Sequence, residues 1–308
     1  MLTAFTKRGS QDRKDTTMKI SFSTIATPDF DWVDIYSMAK DLGFDGIEIR
    51  GIGDEISAVN GKVFSASKID ATIKKLKELR LEIPCLDTGC ALKEAENREA
   101  CIKEVTDYMT LADKLGTPYI RLLADKDPEP IADVDDEYVA GVLKELASYA
   151  EKYDNITLLV ETNGVYSDTM RLKRLIDKVG SPKVAVLWDI HHPYRYMEES
   201  PEETVKNIGQ YIKHVHVKDS LMVDGKPKYK LMGQGDMPLK SIFASLAEIG
   251  YSGYASLEWV KRWDKGLQNA AIAFPHFAHY MSVYRQEKQE LLQDNKTHTG
   301  NMYGLKSI

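Results

Sequence analysis

Eight short apolar runs recur along the chain, and each is followed by a longer stretch of helical periodicity. This alternation constrains the fold more than any other feature. The runs are K-I-S-F-S (19–23), G-I-E-I-R (46–50), L-E-I-P-C-L (81–86) and Y-I-R-L-L (119–123). They continue with T-L-L-V-E (157–161), V-A-V-L-W (184–188), H-V-H-V (214–217) and Y-A-S-L-E (254–258). β-Branched and aromatic residues dominate them, as in strands. Helices are predicted over 31–42, 67–80, 94–115, 135–153, 167–179, 202–211, 238–249 and 268–291. Ser67 and Asp168 read as helix starts, and Gly43, Gly116, Gly180 and Gly250 read as stops.

Strand–helix units in series require a parallel sheet. Eight of them predict an α/β fold, a closed (β/α)8 TIM barrel forming a single domain. A doubly wound nucleotide-binding sheet is disfavoured, because the first run leads into S-T-I-A-T-P-D-F and not into a glycine-rich phosphate turn. The longest insertion, 219–236, follows the seventh run and carries V-D-G-K, a hairpin-turn signal. Met18 opens M-K-I-S-F-S and reads as the start of the fold. Residues 1–17 therefore read as a loose arm, 18–291 as the catalytic barrel and 292–308 as a tail that could dock on another subunit.

Composition narrows the class. The chain has 308 residues, 43% of them hydrophobic and 29% charged, an ordinary globular balance. The net charge of −6 argues against broad attraction to nucleic acid or anionic membranes. No apolar run approaches the roughly 20 residues that span a bilayer, and no signal core opens the chain. Three cysteines, Cys85, Cys90 and Cys101, are an odd, low count. That count points to a reducing compartment, hence a cytoplasmic protein.

In such a barrel the active site lies at the C-terminal strand ends. The fifth run ends on Glu161, the sixth on Asp189, the seventh contains His214 and His216, and the eighth ends on Glu258. One carboxylate at a strand end is commonly a surface residue or a helix cap. Four polar ends in a row would repel and desolvate at a cost of several kcal/mol unless a cation neutralised them. Three carboxylates and an imidazole suit one divalent metal, Mn2+ first, with Mg2+ or Co2+ acceptable. Period-two alternation puts His214 and His216 on one strand face. His216 lies nearer the mouth, and His214 reads as a core histidine one layer deeper. Lys218 reads as pointing to the other face.

Four motifs carry a family resemblance: E-T-N at 161–163, D-x-x-H at 189–192, H-V-H-V-K-D at 214–219 and S-L-E-W at 256–259. With them the chain resembles the xylose isomerase-like barrels, the sugar phosphate isomerase/epimerase group, over about residues 18–285. The resemblance implies Glu161, Asp189, His216 and Glu258 as metal ligands and His192 as a substrate-contacting histidine. His191 then turns away to pack or hydrogen-bond. The endonuclease branch of the family is disfavoured, because the second and third runs end in Glu48-Ile49-Arg50 and Cys85-Leu86-Asp87, without histidine.

The expected reaction is proton abstraction next to a metal-bound carbonyl, through an enediolate. Glu161 and Glu258 are the acid–base candidates, with His192 as orienter or base. Arg50, Asp87, Arg121 and Trp259 are candidate substrate-binding residues; a salt bridge within the barrel is the rival account of Arg121. The expected substrate is a small keto-sugar or sugar derivative, and the expected assembly a homo-oligomer. Two other readings stand beside this one. A lyase could use the same proton abstraction, as a dehydroshikimate- or inosose-type dehydratase or a C-glycoside deglycosidase with a small partner subunit. A non-enzymatic sugar-binding barrel or assembly subunit would show no metal dependence.

Overall fold

The computed structural model describes residues 18–303. The expected arm at 1–17 and the last five residues of the expected tail lie outside them. The barrel strands are β1 (Lys19–Ser23), β2 (Gly46–Glu48), β3 (Cys85–Ala91), β4 (Tyr119–Leu123), β5 (Thr157–Glu161), β6 (Val184–Asp189) and β7 (Ile212–Val217). After β7 come a hairpin, β8 (Asp219–Val223) and β9 (Lys226–Lys230), and then the last barrel strand, β10 (Tyr254–Leu257). The eight-stranded sheet runs β2-β1-β10-β7-β6-β5-β4-β3. Isolated bridges Gly46–Glu82 and Ile49–Leu86 join its two edges into a nearly closed barrel. Hairpin closure at Asp224-Gly225 matches the expected turn.

Around the strands lie α1 (Trp32–Asp41), α2 (Ile69–Leu79), α3 (Arg98–Leu115), α4 (Asp136–Ala150) and α5 (Thr169–Val179). They are followed by a short α6 (His191–Tyr196), α7 (Pro201–Ile208), α8 (Leu239–Glu248) and α9 (Ala270–Tyr303). α9 runs without a break through the boundary expected at 291. Helix starts follow local chemistry. Asp31 and Asp34 form a reciprocal capping box on α1, and Asp168 accepts from Arg171 N on α5. Gly116 and Gly180 end α3 and α5 in the left-handed conformation, at φ 73° and 63°.

Two local expectations are corrected. The third strand is Cys85–Ala91, not 81–86, because Pro84 has no N–H to donate to a ladder and residue 82 makes only one bridge. α2 starts after Lys68 with no side-chain cap, so Ser67 is not its cap. Cys85 is buried apart from Cys90 and Cys101, which lie side by side. The end of β3 and the first turn of α3 bring their Cα atoms to 5.1 Å, inside the range a disulfide spans.

Strand parity divides the core in two. Residues facing outward, such as Leu158, Val160, Val186, Trp188 and Val215, join the helices in one large apolar cluster. Inside the barrel, Leu159, Ala185 and Leu187 form a small separate cluster, with Tyr119 packed against it. Two residues further along β5 and β6, on the same face, stand Glu161 and Asp189. The barrel is thus apolar at its base and ionic toward its C-terminal mouth.

Candidate metal centre

Parallel register brings the strand ends level. Asp189 pairs with His216, and His216 with Ser256. Glu258 N bonds Val217 O just beyond β10. One ligand atom each from Glu161, Asp189, His216 and Glu258 fits within 4.8 Å of the others, and all four residues are buried. His216 Nδ1 lies 3.7 Å from Glu161 Oε1 and 3.5 Å from Glu258 Oε1. It is buried and makes no hydrogen bond among the described residues. Asp189 is oriented by its surroundings: Oδ1 accepts from His191 N at 2.8 Å, and its own N–H donates to Thr162 Oγ1 at 2.9 Å.

Charge supports a cation here. Glu48, Asp87, Glu161, Asp189 and Glu258 are five buried carboxylates, against the buried cations Arg121 and Lys218 and the imidazole of His216, whose pKa burial would lower but Glu48 and Glu258 hold well above its ordinary value. Burial pushes the Asp87 carboxyl well above its usual range, and Glu48 beside it adds to the shift. Burial would raise Glu161 as well, but Arg121 and His216 outweigh it and hold that carboxyl below its ordinary value. Glu258 is held low against the same burial cost by Lys218, His216 and Arg121. An oxygen-rich set with one bare imidazole nitrogen and surplus negative charge fits a hard or borderline divalent cation.

His192 is 4% exposed, and its Nδ1 donates to Thr162 O at 2.9 Å. That bond leaves Nε2 as an acceptor, 3.8 Å from Asp189 Oδ2. His191 turns away to Ser220 Oγ at 3.0 Å. Arg50 donates from Nη1 to Ile56 O and from its backbone N to Thr24 Oγ1, both at 2.8 Å. Arg121 Nε sits 3.3 Å from Glu161 Oε2 and 3.8 Å from Asp87 Oδ1, while Nη1 reaches Thr88 O. Asp87 and Arg121 are thus engaged with each other and with Glu161, the salt-bridge alternative for Arg121. Trp259 is 1% exposed, with its indole N–H on Gln268 O, an arrangement of packing and not of an open stacking face.

Lys218 is the clearest correction. It was expected on the far face, yet it is buried with Nζ 2.5 Å from Asp189 Oδ2 and in contact with Glu258 Oε2. The alternation that aligns His214 with His216 carries on to residue 218, and following it one step further would have placed this lysine. Glu48 was also missed. It closes β2 and accepts from His214 Nε2 at 2.6 Å and His216 Nε2 at 2.7 Å. No local signal marks it, since its partners lie 166 and 168 residues away.

The profile of the xylose isomerase-like TIM-barrel family matches residues 37–276, and the chain belongs to that family. Fructoselysine 3-epimerase of Escherichia coli O157:H7 is 24% identical over 237 residues, which is 72% of this chain and 83% of that protein. Among solved structures, the probable 3-DHS dehydratase AsbF from Bacillus anthracis superposes with a TM-score of 0.72 at 19% identity, covering 86% of this chain and 99% of the other. The IOLI protein with a bound zinc atom gives 0.71 at 19% identity, covering 86% and 97%. At these identities the structural likeness concerns the fold. No helix among the described residues is long and apolar enough to cross a membrane.

Proposed function

We propose that this chain is a divalent-metal-dependent epimerase or isomerase of a keto-sugar or sugar derivative, with Glu161, Asp189, His216 and Glu258 as ligands. The observation that carries this reading is the convergence of those four buried groups at the strand ends, with the bare Nδ1 of His216 turned among the carboxylates. The 24% identity to a sugar 3-epimerase across 72% of the chain supports it. Mn2+ is the metal of choice, with Mg2+ or Co2+ able to replace it. Bound there, a divalent cation supplies electrophilic stabilisation to the negative charge that develops on a carbonyl oxygen.

The protein's own groups handle the protons. Glu161 and Glu258 flank His216 from β5 and β10, each with its second oxygen held by a cation, Arg121 or Lys218. Both cations hold the carboxyls below their ordinary values in the free protein. The ionised form of either glutamate accepts the proton from the carbon beside the carbonyl; return of a proton by the other requires that one to be protonated, so the pair carries one proton in the substrate complex. His192, fixed as the Nδ1–H tautomer by Thr162 O, offers Nε2 to a substrate hydroxyl. Arg50, two residues beyond β2, serves as a hydroxyl donor, whereas Asp87 and Arg121 orient Glu161.

Proton NMR in D2O tests this. The Mn2+-loaded protein is incubated with ketohexoses, inososes and 3-keto-glycosides, and the metal is chelated before recording. Deuterium entering an intact sugar, with an epimer or isomer appearing, is the expected result. Exchange accompanied by loss of water or an aglycone would make the protein a lyase. No exchange on any of the three classes would overturn the proposal.

A further inference from the structure

Glu48 has no direct part in the four-ligand set, yet its surroundings are unusual. Its side chain is fully buried at the end of β2, and its ion-pair partners among the described residues are two imidazoles, not Lys or Arg. A buried carboxylate without compensating donors costs several kcal/mol. A carboxylate only accepts, so each imidazole nitrogen facing it must carry a hydrogen. Oε2 takes His214 Nε2 at 2.6 Å, and Oε1 takes His216 Nε2 at 2.7 Å. The bond from His214 fixes the plane of the carboxylate. The bond from His216 fixes which ring nitrogen of a candidate ligand is free.

We infer that Glu48 is a positioning residue of the metal centre: it holds His216 as the Nε2–H tautomer and keeps the Nδ1 lone pair turned toward Glu161, Asp189 and Glu258. The inference rests on the reading of those four residues as a metal site. His216 Nδ1 is buried, makes no hydrogen bond and lies within 3.7 Å of two carboxylates, the placement a ligand atom needs. Partners of this kind orient imidazole ligands and raise their basicity, and losing one commonly lowers metal affinity by about 10- to 100-fold. An uncharged amide cannot do the same for both rings. It accepts from one imidazole and presents an N–H to the other, which forces that ring into the opposite tautomer.

The test uses the full chain labelled with 15N-histidine, loaded with diamagnetic Zn2+ for the tautomer measurement and freed of metal by chelation for the titration. Long-range 15N–1H correlation reads the tautomer of His216 directly, without any variant. Calorimetric titration with Co2+ then compares wild type with Glu48→Gln. The expected results are an Nε2–H His216 in the wild type and a 10- to 100-fold weaker Co2+ affinity in the variant, measured at a temperature where both proteins are folded. A role limited to stability would move the melting temperature and leave Co2+ affinity alone. An Nδ1–H His216 in the wild type, or equal Co2+ binding by both proteins, overturns the role of Glu48 and leaves the metal site standing. A wild type that binds no Co2+ removes the metal site as well.

Discussion

At the scale of single residues, the buried carboxylates of the candidate site are paired with buried cations. Arg121 holds Glu161, and Lys218 holds both Glu258 and Asp189. Each of the two glutamates has a buried cation on one oxygen and faces His216 Nδ1 with the other. Replacing Glu258 by Gln removes the titratable group while keeping its size. Turnover is expected to fall by about 10²- to 10⁴-fold, the usual share of a positioned acid or base. Steady-state kinetics on the substrate found by NMR would check this. A variant retaining wild-type turnover would remove Glu258 from proton transfer. Much of this arrangement was readable in the chain, because Glu161, Asp189, His216 and Glu258 each end or nearly end an apolar run. Glu48 was not, because its importance comes from His214 and His216, far away in sequence. Lys218 was readable, but only by carrying strand parity past the end of the strand.

At the scale of elements, the loops after β4 and β5 hold the Glu161 corner of the site. Asn163 Nδ2 donates to Asp125 O at 2.8 Å and to Asp127 O at 3.1 Å, and Val165 N donates to Asp125 Oδ2 at 3.0 Å. Gly164 lies between them at φ 57°, and a Cβ there would overlap the Asp125 carboxylate. Gly164→Ala is expected to destabilise the fold by about 1–3 kcal/mol, through left-handed strain and displacement of Asp125. A denaturant melt measures it; an unshifted midpoint would mean the loop does not need this conformation. The elements were largely legible in the sequence, since strand runs and helix periods differ and glycine stops are local. The misplaced third strand shows the limit. Apolar content marked 81–86, but pairing with β4 decided that the strand lies at Cys85–Ala91.

At the scale of the molecule, the barrel separates two kinds of interior. Leu159, Ala185 and Leu187 fill the base, and one pleat further on the same strands present Glu161 and Asp189. The apolar base keeps water from the underside of the ionic layer, so electrostatic interactions there are stronger than they would be in water. Cumulative parity along eight strands produces this layering, which no single motif contains. On the proposed function, the ionic layer closes on one divalent cation. Anomalous diffraction at the manganese edge, from crystals grown with Mn2+, tests it most directly. One peak is expected, within coordination distance of Glu161, Asp189, Glu258 and Nδ1 of His216. No peak at that position, or a peak lying instead between Glu48 and His214, would contradict it.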